Sequence, residues 1–183
     1  MSESLNRQPS LSEKVAEITG ISVNKCYQCG KCSAGCPVAN DMDYSPSLIM
    51  RMLQTDDPQE EEKILRSYSI WLCLSCEMCY CRCPMSIDIP SIMDALRQKA
   101  YSEKKVNPKA KKIIAFHESF LDSIKWTGRL YEIGLVATYK LKTLDLLKDV
   151  ELAPKMYLKG KLNILPEKMH GLKNVSGLFK KSK

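Results

Sequence analysis

All nine cysteines of the 183-residue chain fall in two short runs. The first reads Cys26-Tyr-Gln-Cys29-Gly-Lys-Cys32-Ser-Ala-Gly-Cys36-Pro37, and the second reads Cys73-Leu-Ser-Cys76-Glu-Met-Cys79-Tyr-Cys81-Arg-Cys83-Pro84. Each contains C-x2-C-x2-C-x3-C-P, so one thiol pattern is used twice. An odd cysteine count excludes complete pairing into disulfides. No apolar run approaches the ~18 residues that a membrane helix needs. Met1–Ser10 is polar and has no apolar signal region. A soluble, cytoplasmic protein is expected, in a compartment that keeps thiols reduced, and metal binding is then the favoured use of the cysteines.

The spacing is that of cubane iron–sulfur ligation. Thiolates at i, i+3 and i+6 wrap three corners of a small cluster in one turn of irregular chain, and the fourth comes from elsewhere. The proline after the fourth cysteine fixes φ and turns the chain away. Gly30, Ser33, Ala34 and Gly35 are small enough to let backbone approach inorganic sulfur. Structural zinc sites pair two C-x2-C knuckles, whereas here a third cysteine extends each knuckle at the same step.

The runs resemble those of two-cluster ferredoxins, in which the fourth cysteine of each run ligates the other cluster. That resemblance implies two [4Fe–4S] clusters. One would be held by Cys26, Cys29, Cys32 and Cys83, the other by Cys73, Cys76, Cys79 and Cys36. Crossed ligation staples distant segments together, so folding is expected to depend on the clusters. Cys81 lies outside the regular spacing. It is read as a small buried hydrophobe ahead of a substitute ligand or a thiol tuning a cluster sulfur.

Helix signals dominate elsewhere. Ser10-Leu-Ser-Glu13 is a capping box, followed by Val15, Ile18 and a stop at Gly20. Ser45-Pro46 opens a helix with Leu48, Ile49, Met52 and Leu53 at helical spacing. Asp57-Pro58 opens the next, continued by Ile64, Leu65, Tyr68 and Leu72. Pro90 opens one carrying Ile92, Met93, Leu96 and Ala100. Asn107-Pro108 opens another, with Ala110, Ile113, Ile114, His117, Phe120, Leu121 and Ile124 on one face. A last helix is expected from Gly128 to about Lys148. No stretch alternates as a strand does.

The fold expected is mainly α: an α-helical ferredoxin domain, a helical extension and a basic tail. The domain is placed at 1–104 with its core from about residue 10, the extension at 105–150, and the tail at 151–183. From Lys155 onward the chain carries eight lysines, no arginine and the single acid Glu167, so the whole formal excess of +7 lies there. His117 is expected to pack in the core and His170 to be solvated. Met50, Met52, Met78, Met85 and Met93 are expected around the clusters, with Trp71 shielding one of them.

No nucleotide-binding glycine loop and no nucleophile–base pair is present. With eight cysteines as ligands, neither cluster keeps an open iron, which points to electron transfer. The segments CYQCGKCSAGCPVA and CLSCEMCYCRCPMSIDIPSIMDALR, with C-P-x-x-x-D-I-P from Cys83 to Pro90, resemble the iron–sulfur C subunit of the CoB–CoM heterodisulfide reductase of methanogenic archaea. The likeness covers about residues 10–125. It implies a non-catalytic relay subunit in a cytoplasmic complex used in methanogenesis. Electrons would pass from a flavin-containing A subunit to a B subunit that reduces the CoM-S-S-CoB disulfide, with a hydrogenase or formate dehydrogenase feeding the A subunit. Alternatives are a ferredoxin-like subunit of a glycolate oxidase, glycerol-3-phosphate dehydrogenase or thiol:fumarate reductase, and a free ferredoxin. A nucleic-acid module using the tail is disfavoured, because lysine without interleaved arginine or aromatic residues recognises nucleic acid poorly.

Overall fold

The structure is a computed structural model that describes residues 8–144, 158–159, 169, 175 and 177–179. It is mainly helical, with no strand among the described residues. The chain forms two compact units that divide between Ala110 and Lys111.

The first unit contains the helices α1 (Leu11–Thr19), α2 (Lys31–Ala34), α3 (Pro46–Gln54), α4 (Pro58–Leu65), α5 (Ser69–Leu72), α6 (Met78–Cys81) and α7 (Ile89–Ser102). Their ends are where the local chemistry puts them. At α1 the Ser10 hydroxyl accepts from the Glu13 N–H while the Glu13 carboxylate accepts from the Ser10 N–H, a complete capping box. Gly20 closes the helix at φ 72°, a conformation that costs a residue with a Cβ energy. Asp57 caps α4 through the Gln59 N–H, and Asp88 caps α7 through the N–H and hydroxyl of Ser91. Prolines occupy the first turns of α3, α4 and α7, where the missing N–H is no loss.

The expected continuation of α4 through Tyr68 to Leu72 does not occur. Arg66 caps α4, and α5 starts afresh at Ser69. The break lets Asp43, from the loop before α3, bind the first backbone N–H groups of α5, as described below.

The core is centred on α7, whose Ile89, Ile92, Met93, Ala95, Leu96 and Ala100 are buried. Against α7 pack α1, α4, α5 and α6, while α3 packs on α1, α2 and α4. Aliphatic side chains and methionine fill this core, with Leu11, Val15, Val23, Ile49, Met50, Leu53, Ile64 and Ile70 each at most 2% exposed.

The second unit contains α8 (Lys111–Thr127) and α9 (Glu132–Thr143), packed on one another. The helix expected from Gly128 starts later. Gly128 takes φ 80° and ends α8, and α9 ends at Thr143 with Leu144 as a left-handed cap. The Asn107-Pro108 start yields a 3-10 turn, Pro108–Ala110, before α8. His117 is exposed, contrary to the packed position expected from its place on the apolar stripe. The expected extension beyond Leu144 and most of the basic tail, His170 included, lie outside the described residues. No helix among the described residues is long and apolar enough to cross a membrane.

Candidate iron–sulfur site

The cysteine repeat is also a structural repeat. Every ligand candidate recurs 47 residues later: Cys26 with Cys73, Cys29 with Cys76, Cys32 with Cys79, and Cys36 with Cys83. The same offset carries α2 onto α6 and the 3-10 turn Val23–Lys25 onto α5. It also relates the left-handed residues Gln28 and Gly30, at φ 63° and 75°, to Ser75 and Glu77, at φ 50° and 60°. The two runs therefore share one backbone path. Each first turn unwinds through two left-handed residues, and the third thiol is presented from a single turn of helix. Only Gly30 announces this in the sequence. The other three positions hold side chains that rarely adopt positive φ, at a cost of order 1–2 kcal/mol each.

Cys36 joins the second run. It lines one partly open, mostly apolar cavity with Cys73, Cys76 and Cys79, of about 380 Å³ including the space open to solvent. Met78 and Met93 line this cavity, as expected of them, and so does Met42, which the sequence had not singled out. Met50 and Met52 lie in the core instead, and Met85 is exposed.

Cys83 lies close enough to the first run to act on Tyr27. The Tyr27 phenol is pushed above its usual range, by desolvation first and then by Cys29, Cys83 and Cys26. Cys32 is buried and feels the charge of Cys26. Burial pushes the thiols of Cys32 and Cys73 up, and that of Cys79 up to about 11, with Cys73 adding to the effect at Cys79.

The residues fit [4Fe–4S] groups. Four thiols drawn from two runs, Cys36, Cys73, Cys76 and Cys79, line one mostly apolar cavity. Among the described residues no three His, Cys, Asp or Glu side chains converge to hold a single ion.

The cysteine-bearing segments meet at α2 and α6, which pack together. A Cβ on Gly35 would lie 2.6 Å from Cδ of Arg82, its own repeat equivalent. The space that Gly35 leaves next to Cys36 is filled by this arginine and does not serve backbone approach to sulfur. Cys81, whose repeat equivalent is Ala34, is exposed and is not the buried hydrophobe expected. Trp71 is partly buried against the core, its Nε1 buried without a hydrogen-bond partner among the described residues.

Asp43 fixes the approach to Cys73. Its carboxylate accepts from the N–H of Tyr68 at 2.7 Å, the N–H of Ser69 at 2.8 Å, the Ser69 hydroxyl and its neighbour Tyr44 N–H at 3.1 Å. It thereby caps α5, which ends at Cys73. Desolvation alone would raise this carboxyl, but the hydrogen bonds outweigh it and hold Asp43 below the usual carboxylate range. A lowered folded-state pKa stabilises the fold above the unfolded value, about 3.9, and the contribution is lost as pH falls through the folded value. Asp43→Asn should cost about 1–2 kcal/mol at neutral pH, since these are partly exposed charge-assisted bonds. The gap in unfolding midpoint between wild type and variant should close as pH falls below the carboxylate range. A gap that persists unchanged into acid would show that the charge does not matter.

Residues 22–87 match the family model described as a 4Fe-4S dicluster domain, which supports [4Fe–4S] clusters in this part of the chain. The chain is 37% identical over 95 residues to the iron-sulfur C subunit of the CoB–CoM heterodisulfide reductase of Methanopyrus kandleri, covering 52% of this chain and 47% of that protein. It is 37% identical over 83 residues to the C subunit of the ferredoxin:CoB-CoM heterodisulfide reductase of Methanosarcina acetivorans, covering 45% and 32%. It is 27% identical over 111 residues to the C subunit of the H(2):CoB-CoM heterodisulfide,ferredoxin reductase of Methanothermobacter thermautotrophicus, covering 61% and 58%. Over these residues the chain is similar to the iron–sulfur C subunits of heterodisulfide reductases. It spans about a third to three fifths of the length of these curated relatives.

Proposed function

We propose that the chain is the electron-relay subunit of a heterodisulfide reductase complex, cytoplasmic and without a catalytic centre of its own. The observation that carries this reading is the grouping of Cys36 with Cys73, Cys76 and Cys79, and of Cys83 with Cys26 and Cys29. It supports two crossed sets of four: Cys26, Cys29, Cys32 and Cys83, and Cys73, Cys76, Cys79 and Cys36. Each set uses all its thiols as ligands and leaves no coordination position for a substrate. A [4Fe–4S] group at each set would supply one-electron transfer. The protein's part is to hold the two sets at fixed separation across α2 and α6, and to line the second with apolar side chains such as Met42 and Met93. Low solvent exposure is one of the levers on cluster potential.

The names of the similar proteins support membership of such a complex. In this reading a flavin-containing A subunit, fed by a hydrogenase or formate dehydrogenase, gives electrons to this chain, which passes them to a B subunit that reduces the CoM-S-S-CoB disulfide. Residues 1–104 carry the clusters, 105–150 extend the helical body, and the basic segment 151–183 docks on a partner. Purification from the native source without oxygen, with subunit identification, tests this. A copurifying cysteine-rich subunit and a separate flavoprotein are expected. A chain that runs alone, or with a membrane b-type cytochrome in place of the flavoprotein, would refute it.

A further inference from the structure

Gln54 and Arg97 occupy matching roles in the two repeats and differ in charge. The Gln54 amide, at the end of α3, donates to the carbonyls of Val23 at 3.0 Å and Cys26 at 2.7 Å. The Arg97 guanidinium, on α7, donates from Nε to the carbonyl of Ile70 and from Nη2 to that of Cys73. Ile70 and Cys73 are the repeat equivalents of Val23 and Cys26, 47 residues on. In each repeat, then, one side chain from the helix that follows gathers the two carbonyls leading into the first cysteine. The holder is a neutral amide in the first repeat and a cation in the second.

The surroundings preserve the difference. Gln54 Oε1 accepts from Gln28 Nε2 at 2.8 Å, and Gln28 Nε2 also lies 3.5 Å from the Cys26 sulfur, so the first holder is embedded in neutral dipoles. Lys25 and Lys31 beside the first run, and Glu77 beside the second, are exposed. Water and salt screen such charges. The Arg97 side chain is only 20% exposed. Its ion-pair partner Asp94, at 2.7 Å, is 50% exposed and so offsets it only in part.

We propose that Arg97 is a positioning residue that raises the reduction potential of the group held by Cys73, Cys76, Cys79 and Cys36, while Gln54 holds the other site without a charge. Reduction adds one negative charge to a site already bound by thiolates. A sparsely hydrated cation touching the ligand backbone stabilises the reduced state, and a neutral amide does so far less. Two sites of one repeat thereby become unequal, as a directional relay requires. The inference rests on the ligand sets proposed above.

The test is a redox titration of the reconstituted full chain, without oxygen, followed by electron paramagnetic resonance. Cys29→Ala and Cys76→Ala assign the two waves, each abolishing or altering a different one. If both variants leave both waves intact, the ligand sets are wrong, and this is visible before Arg97 is touched. Given the assignment, Arg97→Gln should lower the wave that Cys76→Ala affects by about 59 mV, a tenfold change for a one-electron couple, and leave the other in place. Arg97→Lys should restore most of the shift. Gln54→Arg should raise the other wave, and decides the matter if Arg97→Gln fails to load its second cluster. An unchanged midpoint, an equal fall in both waves, or a lysine variant that behaves like the glutamine one would overturn the proposal.

Discussion

With the crossed ligand sets proposed above, replacing Cys83 by alanine should abolish the cluster whose other thiols lie in the first run, and replacing Cys36 should abolish the one whose other thiols lie in the second. The expectation runs against chain proximity, since Cys83 is four residues from Cys79 and Cys36 is four from Cys32. It follows from Cys36 lining a single cavity with Cys73, Cys76 and Cys79, and from Cys83 acting on Tyr27 together with Cys26 and Cys29. Pairs of substitutions make the pattern measurable by iron and acid-labile sulfide content, because residues serving one unit are not additive. Cys83→Ala combined with Cys29→Ala should lose no more than Cys83→Ala alone, one cluster of two. Cys83→Ala combined with Cys76→Ala should lose both. The opposite pattern would mean uncrossed ligation. Each crossed set also ties together segments far apart in the chain, so either substitution should lower the unfolding midpoint beyond the loss of one local contact.

What the sequence made legible was local. A capping box needs Ser10 and Glu13 three apart, a left-handed stop needs Gly20, and a first-turn proline needs only its neighbours, so α1, α3, α4 and α7 could be read with their starts. The ligand candidates were legible because cubane chemistry demands a fixed step of three residues. Other features depend on contacts between distant residues or on conformations that residue type does not announce. Asp43 binds α5 across 25 and 26 residues. Ser75 and Glu77 sit at positive φ where the first repeat has Gln28 and Gly30, so only the comparison of repeats could suggest them. Gly35 looked like room for sulfur, yet the space is filled by Arg82, its own repeat equivalent. Cys81 and His117 were misjudged for one reason. Residue type and stripe position give a preference for burial, but the neighbouring elements decide whether there is anything to be buried against. The Gln54–Arg97 correspondence needs both the repeat and the hydrogen bonds, and neither residue belongs to a motif.

Leu96→Ala should destabilise the first unit by about 2–5 kcal/mol, the usual cost of truncating a fully buried leucine. Leu96 is 0% exposed and lies midway along α7. From that helix come the Arg97 contacts to Ile70 and Cys73, the Met93 wall of the cavity lined by Cys36, Cys73, Cys76 and Cys79, and the packing against α1, α4, α5 and α6. The substitution leaves a cavity and not an unpaired polar group, so its cost is that of lost packing. The neighbours are aliphatic side chains set by helices on several sides, which leaves little room for collapse and favours the upper part of the range. For a unit of this size each kcal/mol moves the thermal midpoint by about 4–8 °C. The fall should therefore be plain in circular dichroism of the loaded protein. Cluster content at low temperature should survive, because no ligand has moved. A small shift in midpoint would show that the clusters alone hold the unit together, and that the aliphatic core is filling between them. A large shift with iron intact would show the reverse order of dependence, in which the packed helices bring Cys36 to the second run and Cys83 to the first before either group is bound.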